Sequence, residues 1–385
     1  MKILFFLNHP AHFHLFKNTI YYLKNIGHDV SVLIRKKDVL EDLMVGSGIN
    51  YSNVLPGGRG DGILGIIESL IRRNIGLYKH CQVNKPDLMV GTSAEIAHMG
   101  RLLKIPSINF SEDDVSVIRN SALLTYSFTT HILSPDICDN GKWSNKTISY
   151  NGYQKLAYLH PNYFTPDVNV LKKYIPDNKA YFIIRFAKLT AHHDKGIKGI
   201  DDAVANDLIG LLRQHGNVYI SSERQLPETF EAYRLKIDPR DIHHVLAFAK
   251  ILIGDSQSMS VEAAMLGTPS IRFSDFSGKI SVLEELEHKY GLTYGILPDK
   301  PKEMFKTIKE LLATPNLDKV FYSRRMNMLR DKIDVTAFLN WFIANYPESY
   351  LTMQDDPDHQ KKFMNNRLHI EEIYRSPQSD GKGIK

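Results

Sequence analysis

Short apolar runs alternate along the chain with longer segments in which apolar residues recur every three or four positions. An uninterrupted apolar run predicts a buried strand, and the wider spacing predicts an amphipathic helix. In the first half, strands are predicted at residues 3–7, 30–34, 51–55, 87–90, 107–110 and 132–135. The pattern then restarts, with strands predicted at 181–186, 218–220, 251–253 and 270–273 and mostly helical segments near 280–290, 301–313, 318–331 and 334–345. This alternation favours doubly wound parallel sheets.

The restart indicates two domains. A chain of 385 residues exceeds a typical single core, and residues 162–167 show little periodicity and lie among prolines. We therefore predict an α/β protein with two Rossmann-like, doubly wound domains that face each other across a cleft. The predicted parts are residues 1–160, residues 161–345 and a partly ordered polar tail at 346–385.

The composition is that of an ordinary folded protein, with 43% hydrophobic residues, 24% charged residues and a net charge of +5. The basic clusters are short, so we interpret them first as solvated faces, then as contacts to anionic substrates or a membrane surface, and last as nucleic-acid contacts. The two cysteines lack metal-ligand spacing and indicate neither a disulfide framework nor a zinc site. With no signal-peptide core and no membrane-spanning apolar run, we expect a cytoplasmic protein.

Residues 249–273 read as strand, polar turn, helix and strand, with the helix ending at Gly267 before Pro269. In such a unit the turn lies at the carboxyl end of a parallel strand. The free N–H groups and the positive end of the helix dipole then form a seat for an anion, most naturally a phosphate. The predicted seat consists of Asp255, Ser256, Gln257, Ser258 and Met259.

Glu262 distinguishes this stretch from a generic crossover. A capping-box glutamate would follow a Ser or Thr cap by three residues, but position 259 is Met. One turn into the helix, the carboxylate can reach back over the phosphate seat and accept hydrogen bonds from sugar hydroxyls. The alternative is a first-turn glutamate that only complements the helix dipole.

Ligands of tandem α/β domains bind at the carboxyl ends of the strands, so the loops after the strands are candidates for chemistry. His9 and His12 follow the first strand. A histidine titrates near neutral pH, so either one suits a general base that removes a proton from an attacking hydroxyl. The alternative is a histidine that hydrogen-bonds the start of the helix.

Two further loops of the first half are candidates for an acceptor site. After the fifth strand, Glu112 and Asp113 offer acceptor-hydroxyl contacts or a carboxylate base, although they also suit an acidic cluster at a helix start. The glycine-rich loop around Gly58 and Arg59 is neither a P-loop nor a dinucleotide fingerprint. It is either a mobile flap over the acceptor or a plain connection.

In the second half, Arg185 ends a strand, where its guanidinium fork is well shaped for a diphosphate. Ser222 and Glu223 close the next strand and line the same predicted pocket, while Arg272 faces either the cleft or a surface carboxylate. The only notable D-x-D pattern, at 356–358, lies in the polar tail. We therefore expect no metal site, and the helix dipole and arginine would neutralise a diphosphate.

The chain resembles the GT-B nucleotide-sugar superfamily, which includes murein-type glycosyltransferases and non-hydrolysing UDP-N-acetylglucosamine 2-epimerases. It is most similar to the DUF354 branch, through His9-Pro10-Ala11-His12, Arg185 and the segment from Asn151-Gly152-Tyr153 to Pro161, and the GT-B signature spans residues 254–269. The likeness covers residues 1–345.

The resemblance implies that the turn at Ser256–Met259 holds a diphosphate and that Glu262 holds a ribose. Members of the superfamily perform both transfer and epimerisation, so the fold does not decide the reaction. Epimerases of the group carry an arginine and a carboxylate in the first loop, where this chain has histidines, which favours transfer.

We therefore expect an inverting, metal-independent glycosyltransferase that needs no cofactor. It would move a sugar from a nucleotide-sugar donor to a glycan or lipid-linked acceptor in surface polysaccharide synthesis, with His12, His9 or Asp113 as the base. One alternative is a UDP-sugar 2-epimerase or hydrolase of the same fold, and another is a nucleotide-sugar-binding protein without turnover. No nucleic-acid partner is expected, whereas contact with the inner face of a membrane and a homodimer are both left open.

Overall fold

The computed structural model describes residues 1–35, 39–54, 62–177, 179–187 and 199–364. The first domain is built on a parallel seven-stranded sheet in the order β3-β2-β1-β4-β5-β6-β7. Its strands are β1 (Lys2–Leu7), β2 (Asp29–Ile34), β3 (Ser52–Asn53), β4 (Leu88–Gly91), β5 (Ser107–Phe110), β6 (His131–Pro135) and β7 (Thr147–Tyr150). Its helices are α1 (Pro10–Asn25), α2 (Leu40–Val45), α3 (Gly62–Asn84), α4 (Ala94–Leu103) and α5 (Arg119–Tyr126), with a 3₁₀ helix at Gly141–Lys146.

Two short helices, α6 (Leu156–Leu159) and α7 (Val168–Tyr174), connect this domain to a second parallel sheet in the order β12-β11-β10-β8-β9. Its strands are β8 (Tyr181–Phe186), β9 (Asn217–Ser222), β10 (Ile251–Gly254), β11 (Ser270–Phe273) and β12 (Thr293–Ile296). Its helices are α8 (Asp202–Leu212), α9 (Glu228–Glu231), α10 (Ile242–Ala247), α11 (Gln257–Leu266), α12 (Ser281–His288), α13 (Pro301–Ala313) and α14 (Leu317–Asp331), with a 3₁₀ helix at Pro239–Asp241. The predicted pair of Rossmann-like domains is confirmed.

The central strands form because they are apolar on both faces. The side chains from Ile3 to Leu7 of β1 and from Ile251 to Ile253 of β10 are almost completely buried, as expected for parallel strands covered by helices on both sides. Two strands were not predicted, β7 and β12, and the first series was wrongly expected to end at residue 135. Strands β7 and β12 are each at the edge of a sheet. Their sequences are short and partly polar, so they give only a weak strand pattern.

The end of the chain returns to the first domain. Helix α15 (Val335–Ala344) contacts α1 and α6, and α16 (Glu348–Asp355) contacts β7. A 3₁₀ helix at Pro357–Phe363 then packs Phe363 against Phe338, with ring centroids 5.8 Å apart. Residues 346–364 of the predicted polar tail thus form helices that pack on the protein, and the remainder lies outside the described residues. Within the described part of the chain, no helix combines the length and apolarity needed to cross a membrane.

Candidate functional site

Each sheet has one point at which the winding of the chain changes direction. β1 pairs with β2 on one side and β4 on the other, and β8 pairs with β9 on one side and β10 on the other. We call this position the winding point of the sheet. Crevices at the carboxyl ends of the strands at this position are the usual ligand sites of α/β sheets. The loops that open there are those after β1 and β4 in the first domain and after β8 and β10 in the second.

The loop after β10 leads directly into α11, as the sequence predicts. The Ser256 hydroxyl caps the helix by accepting a hydrogen bond from the Met259 N–H at 3.4 Å, and Gly267 ends it in the left-handed conformation with φ 79°. Ser258 is exposed and Gln257 is half-buried, whereas Met259 is buried. The first turn therefore offers N–H groups and small polar side chains to an anion.

Asp255 lies between β10 and this helix and is only 2% exposed. Its Oδ1 accepts a hydrogen bond from the Ala187 N–H at 2.6 Å, while its Oδ2 has no hydrogen-bond partner among the described residues. A Cβ on Gly199 would approach that oxygen to 2.5 Å, so glycine is required there. Burial raises the pKa of Asp255 to about 6, against the opposing hydrogen bond from Ala187.

Arg185 is the penultimate residue of β8, and its side chain contacts residues at the end of β9. Its guanidinium donates to Ser221 Oγ at 2.7 Å and pairs with the Glu223 carboxylate, and its Nε has no hydrogen-bond partner among the described residues. The Ser222 hydroxyl is used locally, since it donates to the carbonyl oxygen of Arg224 at 2.7 Å. The predicted set Arg185, Ser222 and Glu223 is thus brought together at one strand edge, with the arginine charge partly balanced.

Glu262 lies in a buried network between the two domains. Its Oε1 accepts hydrogen bonds from the Tyr158 hydroxyl at 2.7 Å and from His243 Nε2 at 3.3 Å. Burial raises the pKa of Glu262, but the charge and hydrogen bond of His243 outweigh it and bring the pKa to about 2. No described residue donates to the other oxygen, Oε2, which leaves one acceptor atom of an ionised carboxylate for a ligand.

His14 connects this network to the first domain. It belongs to α1, stacks on Tyr158 at a centroid distance of 5.1 Å and contacts the His243 ring edge-on at 5.0 Å. Burial and the neighbouring His243 and Lys17 hold the pKa of His14 well below its ordinary value, so the ring is neutral near pH 7.

The two predicted histidines of the first loop differ in what holds them. His9 is the N-cap of α1, and its Nδ1 accepts a hydrogen bond from the Ala11 N–H at 3.2 Å. His12 is held by Thr92, whose hydroxyl oxygen lies 2.8 Å from Nε2 and 3.0 Å from Nδ1. Thr92 follows β4, so the first-domain winding point carries a histidine and a hydroxyl in contact.

The acidic run after β5 separates into three different environments. Glu112 is buried, ion-pairs with Lys155 and accepts a hydrogen bond from the Gln154 N–H at 2.6 Å. Burial lowers the pKa of Lys155, but the Glu112 charge outweighs it and the pKa is raised. Asp113 is exposed, and Asp114 is buried against the second domain.

Arg272 is fully buried in β11 and lies against α12. Its Nη2 donates to Glu287 Oε2 at 2.7 Å and is 3.4 Å from Glu284 Oε1. Of the two orientations considered for Arg272, the structure therefore has the carboxylate pair, buried rather than at the surface. Gly58 and Arg59 lie outside the described residues.

Three residues around the site had no predicted role. Thr92 could have been found by the rule that selected His9 and His12, because it also follows a strand directed at a winding point. Tyr158 and His243 could not have been found from the sequence, because each lies in a short helix and reaches Glu262 only through tertiary packing. Within the described ranges, no group of three or more His, Cys, Asp or Glu side chains is arranged to hold a metal ion.

Solved structures with a similar fold include proteins of two kinds. The S. aureus MnaA–UDP co-structure has a TM-score of 0.66 and 13% identity, covering 91% of this chain and 97% of its own. The UDP-GlcNAc 2-epimerase of Methanocaldococcus jannaschii in complex with UDP-GlcNAc and UDP has a TM-score of 0.62 and 14% identity, covering 85% and 99%. CalG4, the calicheamicin glycosyltransferase, has a TM-score of 0.54 and 12% identity, covering 90% and 99%. At these identities the likeness establishes the GT-B fold.

No curated protein sequence matches the chain. A family profile does, over residues 1–287, which include β1 to β11 and both winding points. The match extends over most of the 385 residues. The chain therefore belongs to the family described as "Protein of unknown function (DUF354)".

Proposed function

We propose that the protein is an inverting glycosyltransferase that needs no metal. It transfers a sugar from a nucleotide-sugar donor to a glycan or lipid-linked acceptor, as in the cytoplasmic steps of surface polysaccharide synthesis. The donor occupies the winding point of the second sheet, and the acceptor occupies that of the first.

One observation carries this proposal: His14 of α1 and Glu262 of α11 meet through His243 and Tyr158. Each helix begins at a carboxyl end of its sheet. With a rise of 1.5 Å per residue, the start of α1 lies about 6 Å along its axis from this contact and the start of α11 about 8 Å. The phosphate seat and the loop bearing His9 and His12 therefore each lie about 6–8 Å along a helix from the same network between the domains, which supports a donor and an acceptor that meet beside it.

The donor half is supported by the charge balance of the second domain. The first turn of α11 and Arg185 supply the positive potential for a diphosphate. The ionised Glu262 keeps Oε2 for a ribose hydroxyl while Tyr158 and His243 occupy Oε1. When the bond between the anomeric carbon and the diphosphate oxygen breaks, the same helix start and guanidinium stabilise the departing nucleoside diphosphate.

The acceptor half is supported by the contact of His12 with Thr92. The shorter distance, 2.8 Å, joins Thr92 Oγ1 to Nε2 of His12. When the ring proton is on Nδ1, Nε2 accepts a hydrogen bond from the threonine hydroxyl. An acceptor hydroxyl that takes the place of the Thr92 hydroxyl at Nε2 can then pass its proton to His12 as its oxygen attacks the anomeric carbon. In the other tautomer Nε2 donates to Thr92 Oγ1 over the same 2.8 Å and Nδ1 accepts from the Asn8 N–H at 3.4 Å, so the role of base requires the form protonated on Nδ1.

The test is incubation with UDP-, GDP- and CMP-sugars, with and without polyprenyl-diphosphate-linked sugar acceptors, followed by NMR. With a UDP- or GDP-sugar we expect sugar transfer with inverted anomeric configuration and release of nucleoside diphosphate only when acceptor is present, and unchanged rates after chelation of divalent ions. With a CMP-sugar the leaving group would be CMP. Donor that is isomerised or hydrolysed without acceptor would instead identify the 2-epimerase or hydrolase reaction. Binding of a donor with no product under any condition would identify a binding protein without turnover.

Two variants separate the two halves of the site. His12→Gln should abolish transfer while donor binding is retained, and Glu262→Gln should weaken donor binding. His288→Gln and Glu303→Gln are matched controls, because these side chains are 72% and 55% exposed on other surfaces. Full turnover in both site variants would contradict the proposed roles.

A further inference from the structure

Helices α3, α4 and α5 form the outer layer of the first domain. Leu77 and Cys81 of α3 and Met99 of α4 pack with Leu4 and Phe6 of β1 in one core, whereas Phe16 of α1 packs in the other, so this layer covers the sheet face opposite α1. Helix α4 contacts both α3 and α5. The three helices therefore present one continuous surface to solvent.

Large apolar side chains are exposed along this surface, which we call the outer face. Ile71, Ile75 and Tyr78 recur at the i, i+4 and i+7 positions of α3, so they lie on one side of the helix. The apolar residues of the outer face, with exposed fractions, are Ile71 53%, Ile75 49%, Tyr78 41%, Leu102 62%, Leu124 55% and Phe128 44%. Scattered exposed apolar residues are ordinary, but a grouped set of this kind marks an interaction surface.

The charges of the outer face are mostly positive. Its exposed basic residues are Arg72, Lys79, Arg101, Lys104 and Arg119. The three helices contain only two carboxylates. Glu68 is paired with Arg72 at 2.5 Å, and Glu95 is buried in an ion pair with Arg73. The face therefore combines exposed apolar side chains with an excess of positive charge.

We propose that the outer face docks on the surface of a membrane that contains anionic phospholipids. Amphipathic helices with Lys and Arg beside aliphatic and aromatic side chains bind in the headgroup region, where the apolar groups enter the acyl boundary and the cations meet the lipid phosphates. Arginine and lysine stems can also lie along the apolar surface while their charges reach the headgroups. A layer of three helices spreads these contacts over a broad surface.

The same charges argue against a second copy of the chain as the occupant. A two-fold interface places the same patch of both subunits against itself. That would bring two sets of Arg101, Lys104 and Arg119 together with almost no carboxylate between them, and like charges across an interface are unfavourable.

The outer face is also connected to the acceptor side of the cleft. Helix α4 begins two residues after Thr92, the partner of His12. A membrane against this layer would lie beside the first domain rather than the second. The inference does not depend on the proposed reaction, because membrane binding can be measured without donor, acceptor or turnover.

The test is co-sedimentation of the full chain with vesicles of phosphatidylcholine alone and of phosphatidylcholine with phosphatidylglycerol in equal parts. We expect binding to the anionic vesicles, little binding to the neutral ones, and weakening as salt is raised. Arg101→Gln with Lys104→Gln should reduce the affinity about 25-fold, since each basic residue contributes about fivefold at an anionic surface. Ile75→Ser with Leu124→Ser should reduce it about tenfold or more.

Matched controls lie elsewhere on the surface. Lys309→Gln with Lys319→Gln changes exposed lysines of α13 and α14, and Val45→Ser with Leu351→Ser changes exposed apolar residues of α2 and α16. All variants are compared with the parent by circular dichroism and thermal unfolding. Equal sedimentation of the parent chain with both vesicle types, or equal losses in control and outer-face variants, would overturn the proposal. So would a dimer in light scattering that Ile75→Ser with Leu124→Ser converts to a monomer, because the face would then be a subunit interface.

Discussion

At the scale of single residues, Asp255 shows how the helix start constrains a side chain. Its carboxyl group is buried beside the N-cap of α11, with one oxygen bonded to the Ala187 N–H and the other without a partner among the described residues. An isolated buried carboxylate is costly, and the protein responds by keeping its proton to a higher pH, with a pKa of about 6.

The raised pKa of Asp255 predicts a definite pH dependence of stability. Between the ordinary value of 3.8 and about 6 the folded chain holds a proton that the unfolded chain has lost, so the free energy of unfolding falls as pH rises through this window and then levels off. Asp255→Asn removes the titration and keeps an acceptor for Ala187. It should stabilise the protein at pH 8 by about 3 kcal/mol and have little effect at pH 4. Urea unfolding at the two pH values measures this, and a loss of stability at pH 8 would contradict it.

Glu262 gives the second prediction at this scale. If Oε2 accepts a ribose hydroxyl, Glu262→Gln should weaken UDP binding about tenfold to a hundredfold, since hydrogen bonds to a charged group contribute about 1.5–3 kcal/mol. Tyr158→Phe removes a donor to Oε1 but keeps the charge, so it should change UDP affinity much less. Calorimetric titration measures both. Equal losses in the two variants would mean that the network, rather than the free oxygen, determines binding.

The sequence could place Glu262 early in its helix, but it could not show which oxygen is available. Its partners Tyr158 and His243 come from other helices, and no local pattern connects them to position 262. The same reason applies to Glu112, whose pairing with Lys155 depends on the packing of two distant loops. The loop histidines, by contrast, lie where the strand-end rule predicts.

At the scale of elements, most of the fold was predictable because each element carries its own signal. The limits of β8 and α13 agree with their predicted positions, since β8 is a continuous apolar run and α13 is amphipathic and begins with a proline. The outermost strands β7 and β12 were missed, because they depend on pairing with a neighbouring strand more than on their own apolar content. The helix after residue 346 was missed for a related reason, since its stability comes from packing on β7.

Contacts between elements of the two domains cannot be predicted from local sequence patterns. Asp114, after β5, accepts hydrogen bonds from the Ser281 N–H and hydroxyl at 2.8 Å each, at the start of α12. It also accepts one from the Asp139 N–H at 2.8 Å. A carboxylate of the first domain thus caps a helix of the second, where it also complements the helix dipole.

The Asp114 contact predicts that the two domains stabilise each other. Asp114→Ala should lower the free energy of unfolding by about 2–3 kcal/mol, because it leaves two N–H groups and a hydroxyl without their acceptor. Ser281→Ala keeps the N–H contact and should cost about 1 kcal/mol. Chemical denaturation with probes in each domain measures both effects. Loss of stability confined to the first domain would show that the contact does not couple the domains.

At the scale of the whole molecule, the two domains are joined by helices that follow the second domain in the chain and pack on the first. Helix α15 packs against α1, and α16 packs on the edge of the first sheet. His131 of β6 also contacts this segment, with its ring centroid 3.7 Å from that of Tyr350 and 5.8 Å from that of Tyr346. Within the described residues its Nδ1 has no hydrogen-bond partner. Burial lowers the pKa of His131 to about 4, so the ring that contacts these tyrosines is neutral near pH 7.

This attachment predicts a loss of stability on acidification. Burial, with a smaller contribution from Lys146, lowers the pKa of His131 from 6.5 to about 4. Between these values the unfolded chain binds a proton that the folded chain excludes, so the free energy of unfolding falls as pH falls from about 6.5 to 4. His131→Phe keeps an aromatic ring on Tyr350 and removes the titration. It should reduce the acid-dependent loss by up to about 3 kcal/mol and slow hydrogen exchange in α16 at pH 5 relative to the parent chain. The control His288→Phe, at an exposed position of α12, should leave the acid-dependent loss of stability unchanged. An equal loss in His131→Phe and the parent chain would show that another group detaches α16.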